Sequence, residues 1–277
     1  MVLIINPEYF PSYSDFFFLD NYIVVLVVSF ALGLTLVFFH ELGHLLAGKA
    51  AGVEGYFSIG LRLYIPVAET NLTQLWTVPR KKRYLPFLAG MLTDTLVLSF
   101  LVFILWISDL NPNLVLGSIV GLTRLAILLL YYSLVWQFLL FIRTDLYFII
   151  SNFFGCRNLY SDSWNSIFNF LLKVLKRKRI EQEIPANELR VVKIYAPIML
   201  GATTFSILFF AFFNLPIFSL IFIEGFDMML NGLQINPVLF AEGLILTFLI
   251  GIQIFGFIFF VIRSLLSFSS RLKMTKN

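Results

Sequence analysis

The sequence has two histidines, and both stand in one string, His40-Glu41-Leu42-Gly43-His44. Residues four apart on a helix share a face and lie one turn from each other. Two imidazoles so placed can chelate one divalent cation, and a carboxylate directly after the first of them reaches a water on that cation. Zinc lowers the pKa of such a water toward neutrality, and the carboxylate takes the proton as the water attacks a peptide carbonyl. The chemistry expected is therefore zinc-dependent hydrolysis, with His40 and His44 as metal ligands and Glu41 as general base. The bland reading is a chance string on a soluble helix. Against it, these three titratable groups end a charge-free apolar stretch, Tyr22–Phe39, where each is costly without a role.

A catalytic zinc site holds three protein ligands and keeps one position open. No histidine remains for the third, and Cys156 is the only cysteine, so neither a thiolate cage nor a disulfide within the chain can form. The carboxylates at membrane depth are Asp94 and Asp145, and spacing alone leaves both open. Asp94 reads equally well as a group behind a ligand or as a helix–helix hydrogen-bond partner. Glu54 and Glu69 read as loop carboxylates.

The elements that must position these groups are membrane spans. Of 277 residues, 59% are hydrophobic, 33 are Phe and only 13% are charged, against roughly 25% charged in a soluble domain. Five stretches are long and apolar enough to cross a bilayer as helices, about 22–46, 85–108, 120–148, 194–222 and 238–263. The fold class expected is an all-α polytopic membrane protein with about five transmembrane helices. No Lys or Arg precedes Lys49, so the first span is not expected to be a cleavable signal. His40 follows Tyr22 by about 18 residues, roughly 27 Å along a helix, which puts the motif at the far end of that span.

The charges sort by side. Residues 1–21, 109–119 and 223–237 lack Lys and Arg, whereas the segments between them carry Lys49, Arg62 and Arg80-Lys81-Lys82-Arg83, then Lys173 to Arg179, and finally Arg271, Lys273 and Lys276. This is the positive-inside pattern. It predicts a multi-pass cell-membrane protein with its N-terminus outside and its C-terminus cytoplasmic, partnered by lipid and not by nucleic acid despite a pI near 9.1. Between the first two spans, Phe57, Ile59, Leu61, Leu63 and Ile65 alternate with strand period. Residues 164–180 read as a basic amphipathic helix on the inner membrane surface, or as an ordinary solvated loop. The organisation expected is a core over 1–165, a basic cytoplasmic segment over 166–193, and two further spans with a basic tail over 194–277.

Phe39 through Gly52 resembles the first signature of the site-2 protease family of intramembrane zinc metalloproteases, and more narrowly their bacterial peptide zinc metalloprotease branch, which occurs with modified-peptide and bacteriocin systems. Pro66 through Trp76 with Pro79 to Arg83 is similar to their loop between the first two spans. Leu88 through Asp94 resembles their second span, and Arg143 through Gly155 their Asp-Gly-Tyr segment. The resemblance covers about residues 35–165, and it implies that Asp145 is the third zinc ligand. Two positions depart from the pattern: Leu146 replaces a usual Gly, and Gln137, Leu139 and Leu140 occupy a stretch where an Asn-x-x-Pro-like element commonly stands. Gln137 is the candidate replacement for that substrate-positioning amide. Arg143 and Arg62 are candidates for oxyanion stabilisation and equally for interfacial anchoring.

The function expected is a zinc-dependent endopeptidase that cleaves a peptide or membrane-tethered substrate in or beside the membrane near its cytoplasmic face, as in modified-peptide or bacteriocin processing. Such a substrate must unwind locally to expose its carbonyls, and the strand-like segment is a candidate to hold it by edge pairing. The alternative is a catalytically inactive family member acting as a membrane partner, immunity or export protein. A metal transporter fits least well, since the chain has one His pair and no ladder of ligands.

Overall fold

The computed structural model describes residues 9–19, 21–62, 65–111, 117–178 and 184–274. Five helices in it are long and apolar enough to cross a membrane, so the protein is an all-α polytopic membrane protein with one small two-stranded sheet. The chain divides into two compact units, Met1–Gly60 with Ala68–Asn152, and Leu61–Val67 with Phe153–Asn277.

The first unit is built on α1 (Tyr22–Ala50), α2 (Tyr84–Leu110) and α3 (Gly117–Trp136). Helix α1 presents Phe30, Leu34, Val37, Phe38 and Leu46 outward, an apolar surface suited to lipid and not to water. It lies close against α2 because Gly43 has no side chain. A Cβ there would sit 3.0 Å from the carbonyl oxygen of Ala89 and would also meet Thr93 Oγ1. Small residues let helix backbones approach in this way where the hydrophobic effect offers no drive for association. At the opposite end of α2, Tyr9 packs with Val102, Leu105 and Ile127, and its hydroxyl donates to Asp109.

Between α1 and α2 the chain forms an antiparallel hairpin, β1 (Tyr56–Arg62) with β2 (Ile65–Asn71), where strand-like alternation was expected. Two short 3-10 turns, Thr73–Thr77 and Arg80–Arg83, then lead into α2. Arg83 ties this connection down. Its guanidinium donates to the carbonyls of Val78 and Trp76, lies 5.0 Å over the Trp76 ring and reaches Asn152 Oδ1.

The expected third span, 120–148, is not one helix. Helix α3 stops at Trp136; a turn, a short 3-10 segment (Leu140–Ile142) and Arg143 in the left-handed region (φ 63°) follow. A separate helix, α4 (Asp145–Phe154), then begins. The physical reason is a side-chain cap formed across the break. Gln137 Oε1 accepts from the Asp145 N–H, and Thr144 Oγ1 donates to the Gln137 carbonyl. Backbone groups freed by the break at membrane depth are thus partly satisfied from within the protein.

In the second unit, α5 (Leu159–Val174) lies against α6 (Ala186–Phe209). It buries Leu159, Ser163, Phe168 and Leu172 along one face, so the expected amphipathic helix exists but starts and ends earlier than 164–180. Arg179 lies outside the described residues. Helix α6 continues through a π-helical turn (Phe210–Asn214) into α7 (Leu215–Ile235), and α8 (Pro237–Met274) returns after the single extended residue Asn236. The expected loop 223–237 is therefore mostly helical, and the fourth candidate span runs longer than 194–222.

Candidate metal centre

Two helices face each other along matched stripes. On α1 the stripe is His40 and His44. On α2 it is Pro86, Gly90 and Asp94, also four residues apart, which puts all three on one face of that helix. Each has one task. The Pro86 carbonyl accepts from His44 Nδ1 at 2.7 Å, and Asp94 Oδ2 accepts from His40 Nδ1 at 2.9 Å. Gly90 lies against both rings; a Cβ on it would fall on His40 Nε2 and His44 Nε2. Asp94 is 2% exposed, and its Oδ2 also accepts from Ser133 Oγ of α3 at 2.7 Å.

These partners fix the tautomers. With each Nδ1 donating, each neutral imidazole turns an Nε2 lone pair inward. The two Nε2 atoms are 3.2 Å apart, and Asp145 Oδ2 stands 3.0 Å from both. Three acceptor lone pairs of neutral imidazoles and a carboxylate therefore meet at one point, an arrangement that is repulsive until a metal ion or a proton lies among them. The spacing fits one. Ligand atoms at 2.0–2.1 Å from a tetrahedral ion lie roughly 3.3 Å from each other. His40, His44 and Asp145 thus form a group able to hold a metal ion.

Both aspartates left open by spacing now have distinct places. Asp145 meets the histidines at their Nε2 side, whereas Asp94 lies behind His40, on its far nitrogen. The broken third span explains how Asp145 gets there: it is the first residue of α4, oriented by the cap from Gln137. Gln137 is buried and its amide oxygen is already engaged by the Asp145 backbone, so in this structure it orients the third carboxylate. Arg143 is exposed, with its guanidinium 5.7 Å over the Phe148 ring. The side chain of Arg62 lies outside the described residues.

Glu41 is 8% exposed and is held from the hairpin. Thr70 N–H of β2 donates to Glu41 Oε2 at 2.6 Å, and Thr70 Oγ1 donates to the Glu41 carbonyl at 2.9 Å. No other hydrogen bond to this carboxylate is found among the described residues. Beside it, Leu34, Val37 and Phe38 of α1 with Phe57, Ile59 and Ala68 of the hairpin line an apolar cleft of about 270 Å³. Sequence reasoning missed Pro86, Gly90, Ser133 and Thr70. The first two could have been found from their four-residue spacing with Asp94.

Comparison with protein-family models, with curated proteins and with solved structures found no match to this chain.

Proposed function

We propose that the protein is a zinc-dependent endopeptidase that cleaves a peptide or membrane-tethered substrate in or beside the membrane, as in the site-2 protease family that its motifs resemble. The observation that carries this reading is the convergence of two Nε2 atoms and one carboxylate oxygen, with Glu41 adjacent in sequence to the first ligand. Zinc bound there supplies Lewis-acid activation of water and of a peptide carbonyl. His40, His44 and Asp145 hold the ion, as three ligands do in catalytic zinc sites. Asp94 and the Pro86 carbonyl keep both imidazoles in the ligating tautomer. Glu41, with Oε2 fixed by Thr70, accepts the proton through its other oxygen and returns it to the leaving amine. The apolar cleft at Glu41 receives side chains of an unwound segment, and the hairpin is the element beside it able to pair with extended backbone. The side of the membrane follows from the distribution of Lys and Arg, which sets the site toward the cytoplasm.

A second reading, a catalytically inactive membrane partner, immunity or export protein that keeps a metal for structure, draws on Leu146 and on the engagement of Glu41 by Thr70. One experiment separates the two. Metal content is measured on the purified full chain for the parent, His44→Ala, Asp145→Ala and Glu41→Gln, and peptides are profiled in membranes carrying the parent or Glu41→Gln. About one zinc per chain, lost in the first two variants and kept in Glu41→Gln, together with cleavage products present only with the parent, supports the endopeptidase. A metal-free folded parent, or identical peptide profiles, sinks it.

A further inference from the structure

A second cleft, of about 270 Å³, lies where α1 ends and α2 begins, lined by Ala47, Ala50, Ala51, Leu85, Pro86, Lys81 and Lys82. Ala47, Ala50 and Ala51 follow helical spacing, so one face of the end of α1 carries only methyl groups. Leu85 and Pro86 form the facing wall from the first turn of α2. Lys81 and Lys82, exposed on the 3-10 turn Arg80–Arg83, supply two ammonium groups. Among the described residues neither lysine has an acidic partner. The two membrane-length stretches adjoining this cleft end at Ala50 and begin at Arg80, so the cleft lies at the ends of two candidate spans, where a bilayer's headgroups meet such helices.

We propose that this cleft binds the headgroup of an anionic phospholipid. Its phosphate accepts hydrogen bonds from Lys81 and Lys82, and the first part of an acyl chain lies along Ala50 and Leu85. The volume is below the roughly 300–1,000 Å³ that encloses a drug-sized ligand, which suits a headgroup and the start of a chain. The walls decide between a lipid and a free anion. A site for inorganic phosphate would surround it with donors, whereas this cleft has two ammonium groups at one side and hydrocarbon elsewhere. Each basic side chain near an anionic membrane surface contributes to the attraction, and basic pockets between membrane helices are places where anionic headgroups bind. The inference stands whether or not the protein is a protease, although Pro86, whose carbonyl accepts from His44 Nδ1, forms part of the same wall.

The test is native mass spectrometry of the full chain in detergent, titrated with phosphatidylglycerol and separately with phosphatidylcholine. Replacing both lysines (Lys81→Ala with Lys82→Ala) leaves exposed positions only, so folding is preserved. Ala50→Phe fills the apolar wall and keeps the charge. Lys176→Ala with Lys178→Ala removes equal charge from another basic segment. The expected result is retention of phosphatidylglycerol over phosphatidylcholine in the parent. Retention falls by about tenfold or more in the double-lysine variant, falls also in Ala50→Phe, and is unchanged in the Lys176/Lys178 control. Equal loss in the two double variants means a general charge effect and overturns the site. Unaltered binding without Lys81 and Lys82, or displacement of the lipid by millimolar inorganic phosphate with Ala50→Phe silent, overturns it too.

Discussion

Among the described residues two pairs of helices bring backbones into close approach through glycine, and they use the closeness differently. In the α1–α2 pair, Gly43 lets the helices meet and Gly90 leaves room for two imidazoles. The groups buried at that seam are His40, His44 and Asp94, each hydrogen-bonded to a named partner. In the α7–α8 pair, a Cβ on Gly232 would meet the Phe240 backbone and one on Gly243 the Met229 backbone, so the space is filled by the helices themselves. The acidic residues of α7, Glu224 and Asp227, are exposed. A glycine seam can thus tighten a hairpin or open a pocket, and the difference lies in what stands opposite the missing side chain.

Gly→Ala replacements break this comparison most sharply. Gly90→Ala places a methyl group on both Nε2 atoms, so metal binding is expected to be lost because neither nitrogen can reach the ion, read by metal analysis of the purified chain. Gly232→Ala puts its methyl group against backbone that cannot turn aside. Overpacking of this kind costs about 1–3 kcal/mol, read as a lower unfolding midpoint, while metal content stays at the parental level. Loss of metal in Gly232→Ala, or its retention in Gly90→Ala, would contradict the distinct roles assigned to the two seams.

Asp94→Asn sharpens the reading of the first seam. The variant keeps the shape of the side chain and can still accept from His40, but it removes the negative charge behind the imidazole. Partners in that position typically change metal affinity by about 10–100-fold. The expected result is weakened but measurable binding, in contrast with the complete loss expected for Asp145→Ala. Equal losses in the two variants would place Asp94 among the ligands themselves.

The sequence pattern displays much of this and hides a specific part. The His40–His44 pair is legible because four-residue spacing on an apolar helix leaves one geometric outcome. The five membrane helices are legible because lipid demands long apolar runs. The choice between Asp94 and Asp145 is not legible from spacing, since it depends on where α3 stops. Leu139 through Ile142 is continuously apolar and contains neither Gly nor Pro, so nothing local announces a break there. The break is marked instead by one buried amide directly after α3, Gln137, which caps the next helix. Thr70 is hidden for a related reason: its contact with Glu41 exists only once the hairpin has folded beside α1.

Gln137→Leu tests that hidden instruction. It removes the acceptor for the Asp145 N–H while keeping a side chain of similar bulk at a buried site. Loss of a helix cap costs about 0.5–2 kcal/mol, and here it also loosens the third carboxylate. Metal affinity is expected to fall by roughly two- to thirtyfold if that whole free energy is lost from the bound state. Titration of the apo-protein with zinc measures it. An unchanged affinity would show that α4 is held in place without Gln137.

The smallest effect is expected at Thr70, where backbone and side chain make separable contacts. Thr70→Val deletes the hydroxyl bond to the Glu41 carbonyl and keeps the N–H bond to Oε2, along with the β-branched shape that suits a strand. Loss of one such neutral hydrogen bond is worth about 0.5–1.5 kcal/mol, expected as a modest drop in unfolding midpoint with metal content intact. Thr70→Pro removes the N–H as well and leaves Glu41 Oε2 without its donor. If the backbone bond is what orients the carboxylate, the proteolysis proposed for this site declines much further in the proline variant than in the valine variant while both retain metal. Parallel declines would assign Thr70 only to the packing of the hairpin.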